Sequence, residues 1–154
     1  MAVPSLGSSP APSVADAIRK AQHLLRLEVD DALRNIGLTA PQYFALAALA
    51  AQPGLSGAAL ARRCHVTPQT MTGIIANLVA SGLVARQADP EHGRILRTLL
   101  TPGGSDLLAR ARTLVARVEN DMLTDIDPVE REALADLLAQ CAEALAQRNR
   151  SAED

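Results

Sequence analysis

Aromatic residues are almost missing from this chain. Tyr43 and Phe44 are the only two in 154 residues, and there is no tryptophan. A core without rings must be filled by Leu, Ala, Val and Ile, which suits packed helices. Cysteine is as scarce: Cys64 and Cys141 stand far apart with no CxxC spacing, which excludes a disulfide framework or a structural zinc site. No apolar run reaches the ~18 residues a membrane span needs, so no membrane partner is expected. The opening MAVPSLGSSPAPS has neither a basic n-region nor a long apolar stretch and does not read as a signal peptide. Its Pro, Ser and Gly content predicts a flexible tail over 1–13, and the cytoplasm is the expected compartment. Enzyme signatures are absent too. There is no phosphate-cradling glycine loop, no GxSxG elbow and no HExxH. The adjacent acids Asp30 and Asp31 face different directions on a helix. His23, His65 and His92 lack metal-ligand spacing. The reading is a non-enzyme with no cofactor and no metal.

What is present is a polarised charge pattern. The net charge is only −2, but residues 56–104 carry Arg62, Arg63, Arg86, Arg94 and Arg97 against Asp89 and Glu91, a net +3. Residues 1–55 balance to zero, and residues 105–154 carry six arginines against eleven acids, a net −5. A basic middle beside an acidic end suits one face turned toward a polyanion, although many solvated faces would match a +3 segment.

Helix punctuation is legible throughout. Ser13 caps a helix with apolar positions Val14, Ile18, Ala21, Leu25, Ala32 and Ile36, stopped by Gly37. Thr39 with Gln42 forms a capping box opening TAPQYFALAALAAQ, and Pro53-Gly54 breaks the chain. Ser56 caps the short GAALARRC, ending near His65. Thr67 caps the next helix with Pro68 in its first position. Met71, Ile74, Ile75, Leu78 and Val79 form its buried stripe, and Gly82 is its left-handed stop. LVARQA and RILRTLL flank the turn-rich DPEHG and predict a β-hairpin. Thr101-Pro102 opens a long amphipathic segment from Gly103 to about Asp125. Asp127, Pro128 and Glu130 then open a last helix to roughly Gln147.

Two short helices joined by a tight turn and followed by a hairpin make a winged helix-turn-helix, so the fold class is mainly α. The second helix of such a pair enters the major groove, where its exposed side chains must reach base edges. Off the apolar stripe lie Pro68, Gln69, Thr70, Thr72, Gly73, Ala76 and Asn77, all uncharged. Gln69 can pair bidentately with adenine, and Thr70 offers a hydroxyl and a methyl to thymine. The bland alternative for this face is plain solvation. On the hairpin, or wing, Arg94 beyond His92-Gly93 is the candidate for the narrow minor groove. Arg86 and Asp89 are expected to brace the hairpin base through an ion pair. Arg97 points to a phosphate or to solvent. Arg62 and Arg63 are phosphate contacts or merely exposed charges.

The stretch 38–104 resembles the MarR family of winged-helix transcription regulators. The resemblance lies in LTAPQYFALAALA, SGAALARRCHVTPQTMTGIIANLVASGLVAR and DPEHGRILRTLLTPGG, and with the flanking helices it extends over about 14–147. It implies a homodimer, with 14–37 and 102–147 as the dimerisation region, 38–101 as the DNA-binding domain and 148–154 as a second flexible tail. It implies a repressor on a near-palindromic duplex operator, released by a small aromatic or phenolic effector. Thr67 to Asn77 becomes the reading helix and Arg94 the wing arginine. One departure stands out. The wing of this family often reads Asp-Arg-Arg, and His92-Gly93-Arg94 replaces it here, removing a brace and one arginine. Protonation of His92 would compensate, raising affinity as pH falls through roughly 6.5.

The effector is expected near His23, Arg26, Tyr43 and Phe44, although a Tyr-Phe pair on a core helix is more often simple packing. Two rival functions remain. A winged-helix adaptor would contact a protein through Gln69 and Thr70. A redox-responsive regulator would use Cys64, its thiol pKa lowered by Arg62, Arg63 and His65, although a buried, inert cysteine is the more common case and no cysteine lies near the start of the first helix.

Overall fold

The computed structural model describes residues 13–151. In chain order the elements are α1 (Val14–Arg34), α2 (Ala40–Ala51), β1 (Leu55–Ser56), α3 (Gly57–Arg63), α4 (Pro68–Ala80), β2 (Val84–Ala88), β3 (Leu96–Leu100), α5 (Pro102–Met122) and α6 (Pro128–Ser151). The tail expected at 1–13 lies outside the described residues except for Ser13. The tail expected at 148–154 is helical as far as Ser151, and 152–154 lie outside.

Local chemistry sets most helix starts. The Ser13 hydroxyl accepts from the Asp16 N–H at 3.1 Å. Thr39 and Gln42 close their box reciprocally, the Gln42 carboxamide accepting the Thr39 N–H at 2.9 Å. The Asp127 carboxylate accepts from the N–H groups of Val129 and Glu130 at 2.8 and 3.0 Å. Each side chain satisfies backbone donors that have no partner inside the helix, worth about 1 kcal/mol per cap.

The sheet has the order β1-β3-β2, with both pairings antiparallel. Strand β1 has no counterpart in the sequence reading. Gly54, at φ +80°, turns the chain so that its N–H reaches the Thr98 carbonyl at 3.1 Å. Leu55 and Ser56 are thereby laid opposite Thr98 and Arg97 on the free edge of β3.

The chain forms two compact units, Met1–Val115 and Ala116–Asp154. In the first, Leu33 of α1, Leu46 and Leu49 of α2, Leu60 of α3, Met71 and Leu78 of α4 and Leu108 of α5 are buried. This core is aliphatic, as the scarcity of rings requires. The start of α5 docks closely: Thr101 donates its N–H to the Leu83 carbonyl and its hydroxyl to the Gly82 carbonyl. Gly104 follows where an added Cβ would overlap the Leu83 carbonyl oxygen. In the second unit, Arg131 of α6 donates to the carbonyls of Ile126 and Leu123 at 2.8 and 2.7 Å, satisfying acceptors left open beyond the end of α5. The units divide after Val115, whereas the expected domains divide at 37/38 and 101/102. Those expected domains follow which residues would touch a second copy.

Candidate nucleic-acid interface

Helix α4 owes its aim to the turn before it. His65 sits at φ +54°, in the left-handed region that non-glycine residues seldom occupy, where histidine is among the better tolerated side chains. Val66 then donates its N–H to the Ala61 carbonyl at 3.1 Å, closing α3. Thr67 follows in extended backbone, and its hydroxyl accepts from the Thr70 N–H at 3.1 Å. The Thr67 and Thr70 hydroxyls are themselves 2.8 Å apart.

From that start the helix divides into two faces. Met71, Ile75 and Leu78 are buried, four and three residues apart on one side. The stripe is narrower than expected: Ile74 is half-buried and Val79 exposed. Pro68, Gln69, Thr70, Thr72, Gly73, Ala76 and Asn77 are all exposed. The Thr72 hydroxyl donates to the Pro68 carbonyl at 2.9 Å, so its hydrogen is used within the helix while its methyl and lone pairs remain. No charged residue occurs from Thr67 to Leu83. The arginines flank this face: Arg62 and Arg63 are exposed in the last turn of α3, and Arg86, Arg94 and Arg97 are exposed on the hairpin.

The hairpin corrects one expectation. Asp89 pairs with Arg97, Nε to Oδ2 at 2.6 Å, and not with Arg86. Strand register gives the reason. Arg86 and Asp89 are three residues apart, so a pleated strand sends them to opposite faces. Gln87 stands opposite Arg97, which makes Asp89, two residues on, a same-face diagonal neighbour of that arginine. The other carboxylate oxygen of Asp89 accepts from the Glu91 and His92 N–H groups at 2.9 and 3.1 Å. The hydrogen bond from Arg97, and then those from the backbone, hold the Asp89 carboxyl below the usual carboxylate range despite its burial. The group is therefore charged at neutral pH. His92, Gly93 and Arg94 are exposed at the tip, and Arg94 enters none of the ion pairs among the described residues.

Behind α4 lies a cavity of about 400 Å³, inside the first unit. Gln22, Leu25, Arg26 and Val29 of α1, Ala40, Pro41 and Phe44 of α2, Ile74 of α4 and the turn residues Cys64, His65 and Val66 line it. Of the expected effector residues it includes Arg26 and Phe44. His23 is exposed on α1 and does not line it, and neither does Tyr43, which is half-buried with its ring edge-on to Phe44 at 5.3 Å. The physical reason is helical rotation: one step from Phe44 to Tyr43 turns the side chain about a quarter of the way round. Arg26 is 3.8 Å from Asp30, whose other oxygen accepts the Ala40 N–H at 2.6 Å.

Of the two readings of Cys64, the structure favours the buried, inert cysteine over the redox sensor. Burial pushes the Cys64 thiol up, and Arg63 offsets this only in part. A protonated, half-buried thiol is a poor nucleophile and a poor sensor. Among the described residues there is no group of three or more His, Cys, Asp or Glu that could hold a metal ion, and no helix is long and apolar enough to cross a membrane. The sequence reading missed Cys64, His65 and Ile74 as cavity walls and Arg97 as the partner of Asp89. The latter depends on strand register and the former on how the helices rotate against one another, and no local signal marks either.

Residues 36–95 match the sequence model of the MarR family. The chain is 41% identical over 110 residues to the HTH-type transcriptional repressor Rv2887 of Mycobacterium tuberculosis, covering 71% of this chain and 79% of that protein. The crystal structure of the Mycobacterium tuberculosis MarR family protein Rv2887 in complex with salicylic acid superposes with a TM-score of 0.72 at 32% identity, over 86% of this chain and 98% of the other. The transcriptional repressor CouR, bound to a 23-mer DNA duplex, superposes with a TM-score of 0.79 at 27% identity, over 84% and 92%.

Proposed function

The chain belongs to the MarR family of transcriptional regulators, and from that premise we propose that two copies of it repress transcription by binding a near-palindromic operator, which a small aromatic acid makes them release. One observation carries the DNA reading. The face of α4 opposite Met71, Ile75 and Leu78 is continuous, exposed and uncharged, and exposed arginines flank it. That division of labour suits a helix that reads bases with Gln69, Thr70, Thr72 and Asn77 while charges around it hold phosphates. Gly73 and Pro68 keep the surface low enough for close approach. Arg62, Arg63 and Arg86 supply backbone contacts in this reading, and Arg94 reaches the minor groove.

The apolar side chains left uncovered in one copy support the dimer. Val14, Ile18, Leu24 and Leu27 are exposed on α1, and Val129, Leu137, Leu138 and Leu145 on α6, with Val14 and Val129 as open as 70% and 75%. Exposed apolar area on this scale marks an interface. A second copy is its simplest cover, with 14–37 and 102–147 as the dimerisation region and 38–101 as the reading lobe. Such a protein works in the cytoplasm, beside the DNA it controls.

The effector site is the cavity behind α4. Its walls are apolar apart from Gln22, Arg26, His65 and Cys64, so it suits one ring bearing a carboxylate. Rv2887, whose structure was solved with salicylic acid, makes a benzoic-acid-sized ligand the reasonable probe. Because the α3–α4 turn is one of the walls, a ligand there bears directly on the aim of α4.

The test selects duplexes from fragmented genomic or random DNA with the purified protein, then titrates the recovered operator with salt and with salicylate. Binding by a dimer, a steep loss of affinity with salt and release by salicylate are the expected results. Failure to enrich any duplex at low ionic strength would refute the DNA reading. Release by salicylate that is unchanged in Arg26→Ala would refute the assignment of the cavity.

A further inference from the structure

We infer that Asp89 and Arg97 form a clip that shapes the wing before DNA arrives, so that both are positioning residues for the Arg94 contact and neither touches DNA. The inference rests on the reading of the wing as a DNA arm.

Three donors converge on one carboxylate. Arg97 Nε meets Asp89 Oδ2 at 2.6 Å, and the N–H groups of Glu91 and His92 meet Oδ1 at 2.9 and 3.1 Å. The same loop is closed by its backbone. Asp89 donates its N–H to the Ile95 carbonyl at 2.8 Å, and Ile95 donates to the His92 carbonyl at 2.7 Å. Residues 89–95 are thus tied at both ends, and Arg94 stands between two fixed points. Asp89 is 9% exposed, so its charge is largely removed from water and needs the Arg97 guanidinium as its counterion. An arginine held this way has its charge compensated at the base of the hairpin. Arg94, in no ion pair among the described residues, keeps its full charge at the tip.

The tip itself supplies no restraint. Gly93 has no side chain, and an added Cβ there would meet nothing within 4 Å. Without the clip, residues 90–94 would be a loop to be ordered each time DNA binds, and that ordering would be subtracted from affinity. The brace that the tip lacks is therefore found at the base, on a residue pair that strand register brings together.

The experiment compares the full chain with R94A, R97Q, R97K, D89N and the double variant R94A/R97Q on one selected operator, between about 50 and 200 mM salt. Arg94→Ala is expected to lower the log–log salt slope by about 2, roughly one for each wing of the dimer. Arg97→Gln should lower it equally, and the double variant should match either single variant within about twofold in affinity. Arg97→Lys, which keeps the charge and a donor, should recover most of the binding. Asp89→Asn is the sharpest arm. Removing a negative charge near DNA would tighten binding on electrostatic grounds alone, whereas loss of the clip weakens it. Amide exchange at Glu91 and His92 in the free protein should quicken in D89N and R97Q. Additive slope losses of about 4 in the double variant would make Arg97 a phosphate contact in its own right, and tighter binding by D89N would show that no clip is needed; either result overturns the proposal. If R94A binds like the unaltered chain, the wing reading falls and takes the proposal with it. That failure is recognisable because the other two occur with R94A impaired.

Discussion

Removing the hydroxyl that caps α4 separates two roles for Thr67. In Thr67→Ala the Thr70 N–H loses its acceptor at 3.1 Å, and the Thr70 hydroxyl loses its neighbour at 2.8 Å. The second loss is small, because Thr70 is exposed and water replaces the partner. The first is an ordinary N-cap deletion, about 1 kcal/mol. For a chain of this size that lowers the melting temperature by roughly 2–4 °C. The first turn of α4 carries Gln69 and Thr70, so the cost of reforming it on DNA should appear in binding as well. About 1 kcal/mol in each of the two copies on the operator corresponds to roughly 30-fold in dissociation constant. Thr67→Ser keeps the oxygen and should restore both. Thermal unfolding and fluorescence anisotropy on the selected operator read the two quantities side by side. Normal stability in Thr67→Ala with a large loss of binding would refute the reasoning, because Thr67 would then be a direct DNA contact and not a cap. Failure of serine to rescue would do so as well, since the methyl would then be the group that matters.

Two further outcomes follow from the geometry. Gly104→Ala drives a methyl into the Leu83 carbonyl, which is backbone already held by the Thr101 N–H, so the cost should exceed the ~1–3 kcal/mol usual for overpacking and leave little folded protein in denaturant titrations. The Cys64 thiol, raised by burial, should react with iodoacetamide more slowly than a free cysteine at neutral pH, its rate still climbing beyond about pH 8.5. The same shift carries a sign for stability. The unfolded chain loses this proton first, so stability falls as pH rises from the ordinary thiol value toward the folded one. Rapid labelling of Cys64 in the folded protein at pH 7 would contradict its burial.

Much of this fold was legible because its punctuation is local. Ser13, Thr39, Thr67 and Asp127 each act on N–H groups two or three residues away, and proline or glycine beside several of them works through its own backbone angles. Such interactions survive in any tertiary context, so helix starts and the uncharged face of α4 could be read one turn at a time. Helix ends were less certain: α6 runs to Ser151, past its expected end at Gln147, because no glycine or proline stops it. Strand β1 was invisible, since two residues carry no period and exist as a strand only through Thr98 and Arg97 on β3.

The sequence by itself therefore determined the helical punctuation and the hairpin turn, which are properties of residues within a few positions of one another, and the polarised charge, which is a sum along the chain that needs no contacts. Only the tertiary structure decided that Asp89 takes Arg97 and not the nearer Arg86, and that Cys64, His65 and Ile74 meet Arg26 across a cavity. The physical reason is distance along the chain. Pairing across a hairpin depends on register, and a cavity wall depends on how three helices rotate against one another, and neither quantity is written in any short stretch of sequence.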